Sequence, residues 1–573
     1  MTIGLIWATA AGRAAADRLA AAWPGECTVH EGRVRDQLAR AWAESGAIVA
    51  FVATGATVRL LAPHLVAGGG KDTQPGVVCV DEAGRWAVVL LGGHAGGANA
   101  LAERVSAVLG AQPVVTTGTD AAGLAGLDTL GFAVGNPERV APVSRALLDG
   151  EPVDWRADQL WPLPALPANV GAHPGAAHGV LVTDRAPTRG GAAAAPLVLH
   201  PPSLVLGIGA SRGVAAEEIA ALADRVLAEA GLAAASVCAI ATADVKADEA
   251  GLLAYAAGRN LPLVTFPAGE LAAVDVPHPS EVVRAAVGTP SVAEAAALLA
   301  ARARGRAAEL VAGKTASAMA TVAVARLVPM GRLAVIGLGP GAADLRTPRA
   351  TEQLRAASIV VGLDQYVAQV RHLLRPGTRI VDSGLGAEEE RARTAVELAR
   401  AGHAVALIGS GDAGVYAMAS PALEFAGDDI AVTAVPGVTA ALAASSLLGA
   451  PLGHDHVYLS LSDLHTPWAV IERRLAAAAQ ADLVVCLYNP RSARRTRQLP
   501  AALAILGAHR PPRTPIGLVR DASRPGERVA LTTLAEFDPA AVDMNTVVIV
   551  GASTTRTVAG RMVTPRGYAW MPS

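Results

Sequence analysis

Three lysines in an arginine-rich chain are the first residues whose type suggests chemistry. The 573 residues include 48 Lys and Arg together, and the lysines are Lys71, Lys246 and Lys314. A codon preference for arginine explains the overall skew. The lysines can still be special, because an ammonium is compact and can lose its proton on burial, whereas a guanidinium stays charged. They are therefore candidates for sites that require a small or deprotonatable amine.

Two further groups of residues have spacings that suggest ligand binding. Arg491, Arg494 and Arg495 stand at i, i+3 and i+4, so a helix there would place them on one face, as a carboxylate clamp or equally as a solvated surface. A second group comprises His454, Asp455, His456 and His465, but no further ligand pattern supports a metal, and none is expected. GKTAS resembles a phosphate-binding loop, but position 308 is Ala where that loop needs Gly, which excludes a nucleoside triphosphatase.

Composition narrows the class of protein. The 48 basic and 50 acidic residues nearly balance, which excludes a wholly basic nucleic-acid-binding surface. The four cysteines lie far apart in the sequence, at positions 27, 79, 238 and 486, so we expect neither a disulfide scaffold nor a structural zinc site. The expected location is therefore a reducing cytoplasm. The first residues lack a basic segment of the kind that opens a signal peptide, and no apolar run is long enough to span a membrane.

Strand-like runs that end in glycine loops and alternate with helical stretches predict a multidomain α/β fold. A β-hairpin is expected around Ala83–Gly84. Residues 151–202 hold nine of the 37 prolines, which indicates a linker or a connecting subdomain. Met330 stands where an independent protein could begin, as at a gene fusion. The predicted domains are 1–120, 121–202, 203–328 and 331–573.

Five ordered motifs in the second half resemble the tetrapyrrole methylases. They are GLGPGAAD from Gly337, GSGDAGVYAMA from Gly409, PGVTAALAASSLLGAPLGHD from Pro436, LYNPRS from Leu487 and MNTVVIVGAS from Met544. SLSDLHTPW, YNPRSARR and VTPRGY are most similar to precorrin-3B C17-methyltransferases of cobalamin biosynthesis. Siroheme-type and diphthine-type methylases share the early motifs. The resemblance implies two α/β subdomains with S-adenosylmethionine between them, methylation at C17 with ring contraction to precorrin-4, and a homodimer formed through this domain.

The resemblance assigns residues to both ligands. Arg491, Ser492 and Arg495 are candidates for binding substrate carboxylates, and His454 and Asp455 for proton handling during ring contraction. Asp412 could face the sulfonium or cap a helix, and we favour a role in the geometry of the cofactor loop. The expected cofactor-binding residues are Gly337, Gly339, Pro340, Gly341, Gly411, Asp412, Ala413, Val415, Tyr416, Thr439, Ala440, Tyr488, Asn489, Met544 and Thr546.

The first half resembles cobalt-precorrin-5A hydrolases. Its N-terminal part does so in FVATGATVRLLAPHL, KDTQPGVVCVDEAG, LLGGHAGGANALAERV and VVTTGTD, and its C-terminal part in GIGASRGVAAEEI, ADVKADEAGLL, HPSEVVRAAVGTPSVAEAAALL and GKTASAMATVAVAR. Ala210 replaces a cysteine common in the family, which argues against cysteine chemistry at that loop. The resemblance implies opening of a δ-lactone on the macrocycle and release of acetaldehyde.

Several first-half residues become candidates for that reaction. His94, Asp81 and Glu82 at loop ends could activate water, and Lys246 and Lys314 could bind carboxylates or tune proton transfer. A surface ion pair with Asp248 or Glu249 is the alternative for Lys246. For the whole first half, the alternative is a non-catalytic carrier of a tetrapyrrole intermediate. For the second half, it is methylation of another tetrapyrrole position or of a protein.

Overall fold

The computed structural model describes residues 2–67, 74–94, 96–186, 195–384 and 386–567, so Lys71 lies outside the described residues. The chain forms two compact units. The first consists of Met1–Trp161, Ala165–Met330 and Arg375–Gly377, and the second of Pro162–Pro164, Gly331–Leu374 and Thr378–Ser573.

The first unit opens with a six-stranded sheet in the order β2-β1-β3-β4-β5-β6. The β4–β5 pair is antiparallel and turns at Gly84, whose φ of 64° favours glycine, so the predicted hairpin is confirmed. Fully buried aliphatic side chains on β1 and β3 pack against α1 and α4. The elements are β1 (Ile3–Trp7), α1 (Ala10–Ala22), β2 (Cys27–Val29), α2 (Val34–Glu44), β3 (Ala47–Phe51), α3 (Thr54–Ala67), β4 (Gly76–Val80), β5 (Trp86–Leu91), α4 (Ala98–Leu109) and β6 (Gln112–Val114).

A second sheet follows, in the order β7-β11-β10-β8-β9. The proline-rich stretch thus contributes strands β8 to β11. Arg326 of the next sheet donates to both carboxylate oxygens of the buried Asp184, at 2.5 and 2.8 Å, and joins the two sheets. The elements are α5 (Gly118–Ala121), β7 (Ala133–Val134), α6 (Val140–Asp149), β8 (Val153–Ala157), β9 (Val170–Gly171), β10 (His178–Val182) and β11 (Leu197–His200).

The third sheet has the order β14-β13-β12-β16-β15. Helix α11 is almost entirely buried against it, and its small alanines allow a close approach to β12. A side chain at Gly207 would come within 2.8 Å of Ala297. The elements are β12 (Leu204–Ala210), α7 (Ala216–Glu229), β13 (Val237–Ala243), α8 (Ala250–Gly258), β14 (Leu263–Phe266), α9 (Ala268–Ala272), α10 (Glu281–Val287), α11 (Ala293–Arg302), β15 (Ala307–Ala316) and β16 (Ala320–Val328).

The second unit begins with a fully parallel sheet in the order β19-β18-β20-β17-β21. Its strands are apolar along both faces because helices cover each side, as parallel sheets require. The elements are β17 (Gly331–Gly337), α12 (Pro348–Ala356), β18 (Ile359–Leu363), α13 (Asp364–Val370), β19 (Arg379–Ser383), α14 (Glu388–Arg400), β20 (Ala404–Gly409), α15 (Ala419–Phe425) and β21 (Ile430–Val435).

A mixed sheet in the order β23-β24-β27-β25-β26 and a small sheet β22-β29-β28 complete the unit. Across the described ranges, no helix is long and apolar enough to cross a bilayer. The elements are α16 (Ala440–Leu448), β22 (Gly449–Ala450), β23 (His456–Ser460), α17 (Trp468–Gln480), β24 (Val484–Tyr488), α18 (Gln498–Gly507), β25 (Pro515–Arg520), β26 (Arg528–Thr533), β27 (Thr546–Val550), β28 (Arg556–Val558) and β29 (Arg561–Val563).

Candidate functional site

A cavity of about 210 Å³ opens in the second unit where its two larger sheets present strand ends. The loops after β17, β18, β20 and β21 reach it from the first sheet. The loops after β24 and β25 and the start of β27 reach it from the second. Ligand sites in α/β folds gather at such carboxyl ends. The lining residues are Pro340, Gln365, Tyr366, Ser410, Gly411, Val415, Tyr416, Thr439, Ala440, Tyr488, Asn489, Asp521, Ala522, Arg524, Met544, Asn545, Thr546 and Val547.

Two glycine loops form one wall of this cavity. Gly339 and Gly411 exchange backbone hydrogen bonds of 3.0 and 2.8 Å, and both have positive φ, at 82° and 70°. Behind them, a Cβ on Gly437 would lie 2.6 Å from the carbonyl oxygen of Gly337. Only glycine permits this packing of three backbones, and it leaves backbone rather than side chains at the wall.

Asp412 holds the same loops together. Its Oδ1 accepts from the backbone N–H of Gly414 at 2.8 Å, and its Oδ2 accepts from that of Gly437 at 3.0 Å. Each carboxylate oxygen thus fixes a different loop, and the side chain does not line the cavity. This geometry supports a role in loop shape rather than a contact with a sulfonium.

Three tyrosines cluster at the cavity, and two of them, Tyr416 and Tyr488, line it. The rings of Tyr416 and Tyr458 lie 5.3 and 5.9 Å from that of Tyr488. The Tyr488 hydroxyl accepts from the backbone N–H of Ala441 at 3.0 Å and lies 2.6 Å from the Thr439 hydroxyl. Burial raises the pKa of Tyr488 above its ordinary value, although these hydrogen bonds act in the opposite direction, so the phenol is neutral at physiological pH.

Ten of the fifteen predicted cofactor-binding residues line the cavity, and the other five do not: Gly337, Gly339, Gly341, Asp412 and Ala413. Sequence reasoning missed Arg524, which donates to the Pro340 carbonyl at 2.6 Å and to the Ser410 hydroxyl at 2.7 Å. Its position just after β25, at a strand end, is the signal that could have found it. Gln365 and Tyr366 follow β18 in the same way.

The cavity fits S-adenosylmethionine. Ser410 and Gly411 line it together with the small residues Thr439 and Ala440, and such small residues leave room for a flat adenosyl group. A side chain at Gly411 would be strained at its positive φ and would extend toward Thr439, 3.6 Å away.

The prediction that the arginines share one face of a helix is wrong. Residues 491–497 form no helix, and α18 begins only at Gln498. Ser492 and Arg495 instead exchange backbone hydrogen bonds, and the Ser492 hydroxyl accepts from the Arg495 N–H at 3.1 Å, closing a turn. Arg495 donates to the Asn489 carbonyl at 3.0 and 3.2 Å, whereas Arg491 donates to the Pro539 carbonyl at 2.9 Å.

His454 and Asp455 lie away from the cavity. They precede β23 at its amino end, whereas Ser460 at its carboxyl end pairs with Tyr488. That separation is about 13 Å along the strand. Both side chains are exposed and contact each other, with the Asp455 N–H donating to His454 Nδ1 at 2.8 Å. They are therefore poorly placed for proton transfer at the cavity.

In the first unit, His94 lies between two carboxylates. Its Nε2 is 2.9 Å from Asp120 Oδ2, its Nδ1 is 3.3 Å from Asp128 Oδ1, and the side chain is only 13% exposed. The interaction with Asp128, and a smaller one with Asp120, raise the pKa of His94 despite its burial. An imidazole so enclosed favours its protonated form, and it is poorly suited to take a proton from water.

The other first-half candidates are dispersed. Asp81 accepts from the backbone of Arg85 and Trp86 in the β4–β5 turn, and Glu82 accepts from the Thr9 hydroxyl. Asp248 pairs with Arg212 at 2.9 Å, rather than with Lys246. Among the described residues, groups of three or more His, Cys, Asp or Glu side chains arranged to hold a metal are absent.

Lys246 and Lys314 both lie at one edge of the third sheet. Lys246 follows the carboxyl end of β13, and Lys314 lies near the carboxyl end of β15. Lys314 Nζ donates to the His278 carbonyl at 3.0 Å. With two strands between them, the lysines are separated by roughly three strand spacings, or about 14 Å.

The fold and cavity of the second unit define a class, a two-subdomain α/β protein with a cleft at its strand ends. Residues 332–538 match the tetrapyrrole (corrin/porphyrin) methylases, and the chain belongs to that family, whose members use S-adenosylmethionine. Residues 36–120 and 204–325 match the cobalamin synthesis G N-terminal and C-terminus families. Both resemblances inferred from the motifs are confirmed.

Individual relatives cover the second unit. A probable cobalt-factor III C(17)-methyltransferase of Salmonella typhimurium is 49% identical over 242 residues, which are 41% of this chain and 99% of the relative. A precorrin-3B C(17)-methyltransferase of Sinorhizobium sp is 40% identical and covers 42% of this chain and 98% of its own. The crystal structure of the methyltransferase CobJ is 38% identical and covers 41% of this chain and 100% of its own, with a TM-score of 0.40.

Proposed function

We propose that the second unit methylates C17 of precorrin-3B or its cobalt form, with ring contraction to precorrin-4 or its cobalt form. The observation that carries this is the 49% identity, over 99% of its length, to a relative named for that position. The protein is a cobalamin-biosynthesis enzyme that joins this methyltransferase to a hydrolase-like half.

In this proposal the cavity holds S-adenosylmethionine against Pro340, Gly411, Thr439 and Ala440. When bound, the cofactor supplies a methyl group that its sulfonium has already activated. The protein's task is then alignment of donor and acceptor, which is worth many orders of magnitude in rate. Tyr488, fixed by Thr439 and Ala441, and Arg524, fixed by Pro340 and Ser410, keep the walls in one geometry.

The test is methylation of a panel of tetrapyrroles by the purified chain. Precorrin-3B or cobalt-factor III should gain one methyl group by mass spectrometry, and nuclear magnetic resonance should locate it at C17. A methyl group at another ring position, or no transfer to either compound, would refute the proposal.

We also propose that Arg491, Ser492 and Arg495 bind substrate carboxylates. Their support is the position of this turn directly after Asn489, which lines the cavity. Arg491→Ala should weaken macrocycle binding by about 1.5–3 kcal/mol, the usual value of a charged hydrogen bond. Cofactor binding should change little, as calorimetry with each ligand can show, and the exposed Arg494→Ala is the control. Equal losses for both ligands would contradict the assignment.

For the first unit, we propose opening of the δ-lactone of (cobalt-)precorrin-5A, followed by release of acetaldehyde. The matches to both cobalamin synthesis G segments support it. Incubation of the lactone with the purified chain should release acetaldehyde in a coupled dehydrogenase assay. Binding of the lactone without turnover would instead favour the carrier.

We also propose that the chain is organised into four domains. The sheets described above support domains at 1–120, 121–202, 203–328 and 331–573. Four free cysteines support a cytoplasmic location. We further propose a homodimer formed through the methyltransferase domain, which sedimentation of the chain with and without residues 331–573 would test.

A further inference from the structure

The third sheet of the first unit carries a histidine–carboxylate pair at the edge where Lys314 lies. His278 stands in the loop before α10, Glu294 in the first turn of α11, and Lys314 near the end of β15. His278 lies in HPSEVV and Glu294 in SVAEAA, two stretches of the motif HPSEVVRAAVGTPSVAEAAALL. None of the candidate residues predicted from the sequence lies in this motif.

Glu294 is a buried carboxylate with a full set of donors. It is 0% exposed. Its Oε1 lies 2.7 Å from His278 Nδ1 and accepts from the Lys314 backbone N–H at 3.0 Å, and its Oε2 accepts from the His278 backbone N–H at 3.2 Å. A buried charge is costly unless it is hydrogen-bonded, and here three N–H groups compensate for it.

An irregularity in β15 makes one of these donors available. Ala312 pairs with Val324 and Thr315 with Val322, so two residues of β15 oppose one of β16. This bulge removes Gly313 and Lys314 from the ladder and turns the Lys314 N–H toward Glu294. Bulges are frequent next to active sites because they redirect individual groups.

The pair fixes the tautomer of His278. An ionised carboxylate can only accept, so the proton of a neutral ring stands on Nδ1 and the lone pair on Nε2. The side chain is 59% exposed, so the outer edge of the ring is open to solvent, and Lys314 Nζ donates to the carbonyl of the same residue at 3.0 Å. His94 differs, because carboxylates face both of its ring nitrogens.

We propose that His278 is the general base of lactone opening, that Glu294 is its positioning residue, and that Lys314 fixes the loop that carries it. His278 Nε2 takes a proton from water as the water oxygen bonds to the lactone carbonyl carbon. The ring C–O bond then breaks, and the departing alkoxide takes that proton back, so one water is consumed and an acid and an alcohol are formed. This inference rests on the proposed hydrolase function of the first unit.

The test compares His278→Asn with wild type in the full chain, because the asparagine amide can still donate to Glu294. A general base contributes about 10²–10⁴-fold, so kcat for lactone opening should fall at least about a hundredfold with KM nearly unchanged. Glu294→Gln keeps the volume and an acceptor, and it should lower kcat about tenfold, again without raising KM. His173→Asn, in the loop between β9 and β10, is the matched control and should behave as wild type.

Three outcomes overturn the inference. Full lactone opening by His278→Asn would do so while leaving the hydrolase function intact. A wild-type chain that never opens the lactone would refute the hydrolase function itself, and this inference with it. Finally, ¹⁵N spectra of the wild-type chain, with the His278 signal assigned by its loss in His278→Asn, should show the Nδ1–H tautomer, and an Nε2–H tautomer would exclude the base.

Discussion

At the scale of single residues, His94 shows that the neighbours of a histidine decide whether it can act as a base. Its loop location predicted a base, but Asp120 and Asp128 instead favour its cationic form. Because its folded pKa is raised, His94 stabilises the fold fully below its unfolded pKa of about 6.5, and this stabilisation is lost as pH rises through the folded pKa.

His94→Gln should therefore lower the melting temperature most at acidic pH. The difference from wild type should shrink as pH increases from 6.5, because wild-type His94 then loses its proton and its attraction to both carboxylates. Melting curves of both proteins between pH 5.5 and 9 measure this. A difference that grows with pH would show that His94 is not held as a cation.

Lys314 and Lys246 allow a comparison of two lysines at one sheet edge. Lys314→Arg should lower lactone opening at least about tenfold, or roughly 1.4 kcal/mol, because a broad guanidinium cannot keep the bond to the His278 carbonyl without moving its loop. Lys246 makes no side-chain hydrogen bond or ion pair with the part of the chain that the structure describes. If it contacts substrate, Lys246→Arg should mainly raise KM. Full activity in both variants would show that neither lysine has a chemical role in lactone opening.

At the scale of elements, the cofactor loops depend on three backbones in contact. Gly437→Ala would place a methyl group 2.6 Å from the Gly337 carbonyl oxygen, and such overpacking costs about 1–3 kcal/mol. We expect S-adenosylmethionine binding to weaken at least about tenfold by calorimetry. Gly507→Ala is the control, because a Cβ at the end of α18 would meet no atom within 4 Å. Unchanged binding in Gly437→Ala would show that the loops can separate freely.

The same loops show which parts of the site the sequence could predict. Glycine-rich turns after apolar strands are local signals, and parallel pairing brings strand ends to one edge, so most of the cavity follows from the alternation of strands and helices. The turn at residues 492–495 could not be predicted in this way. The spacing of the arginines favoured a helix, but the Arg495 N–H donates to the Ser492 hydroxyl and closes a turn instead. Arg524 contacts Pro340, 184 residues away in the sequence, and Glu294 contacts His278, 16 residues away. A local sequence pattern cannot predict contacts between residues so far apart.

At the scale of the whole molecule, the two units have separate cores and separate candidate chemistry. Each larger sheet of the second unit is buried by helices of the same unit. All residues that line the cofactor cavity lie between Pro340 and Val547, within the second unit. Among the residues that the structure describes, therefore, the lining of that cavity comes from the second unit.

A chain of residues 331–573 should consequently fold and bind S-adenosylmethionine with an affinity within about threefold of the full chain, a difference of roughly 0.7 kcal/mol or less. Calorimetry on both proteins measures the affinity, and circular dichroism establishes that the shorter chain is folded. Lactone opening should be lost entirely, because His278, Glu294 and Lys314 are absent. A folded 331–573 chain that does not bind the cofactor would contradict the assignment of the cavity to this unit alone.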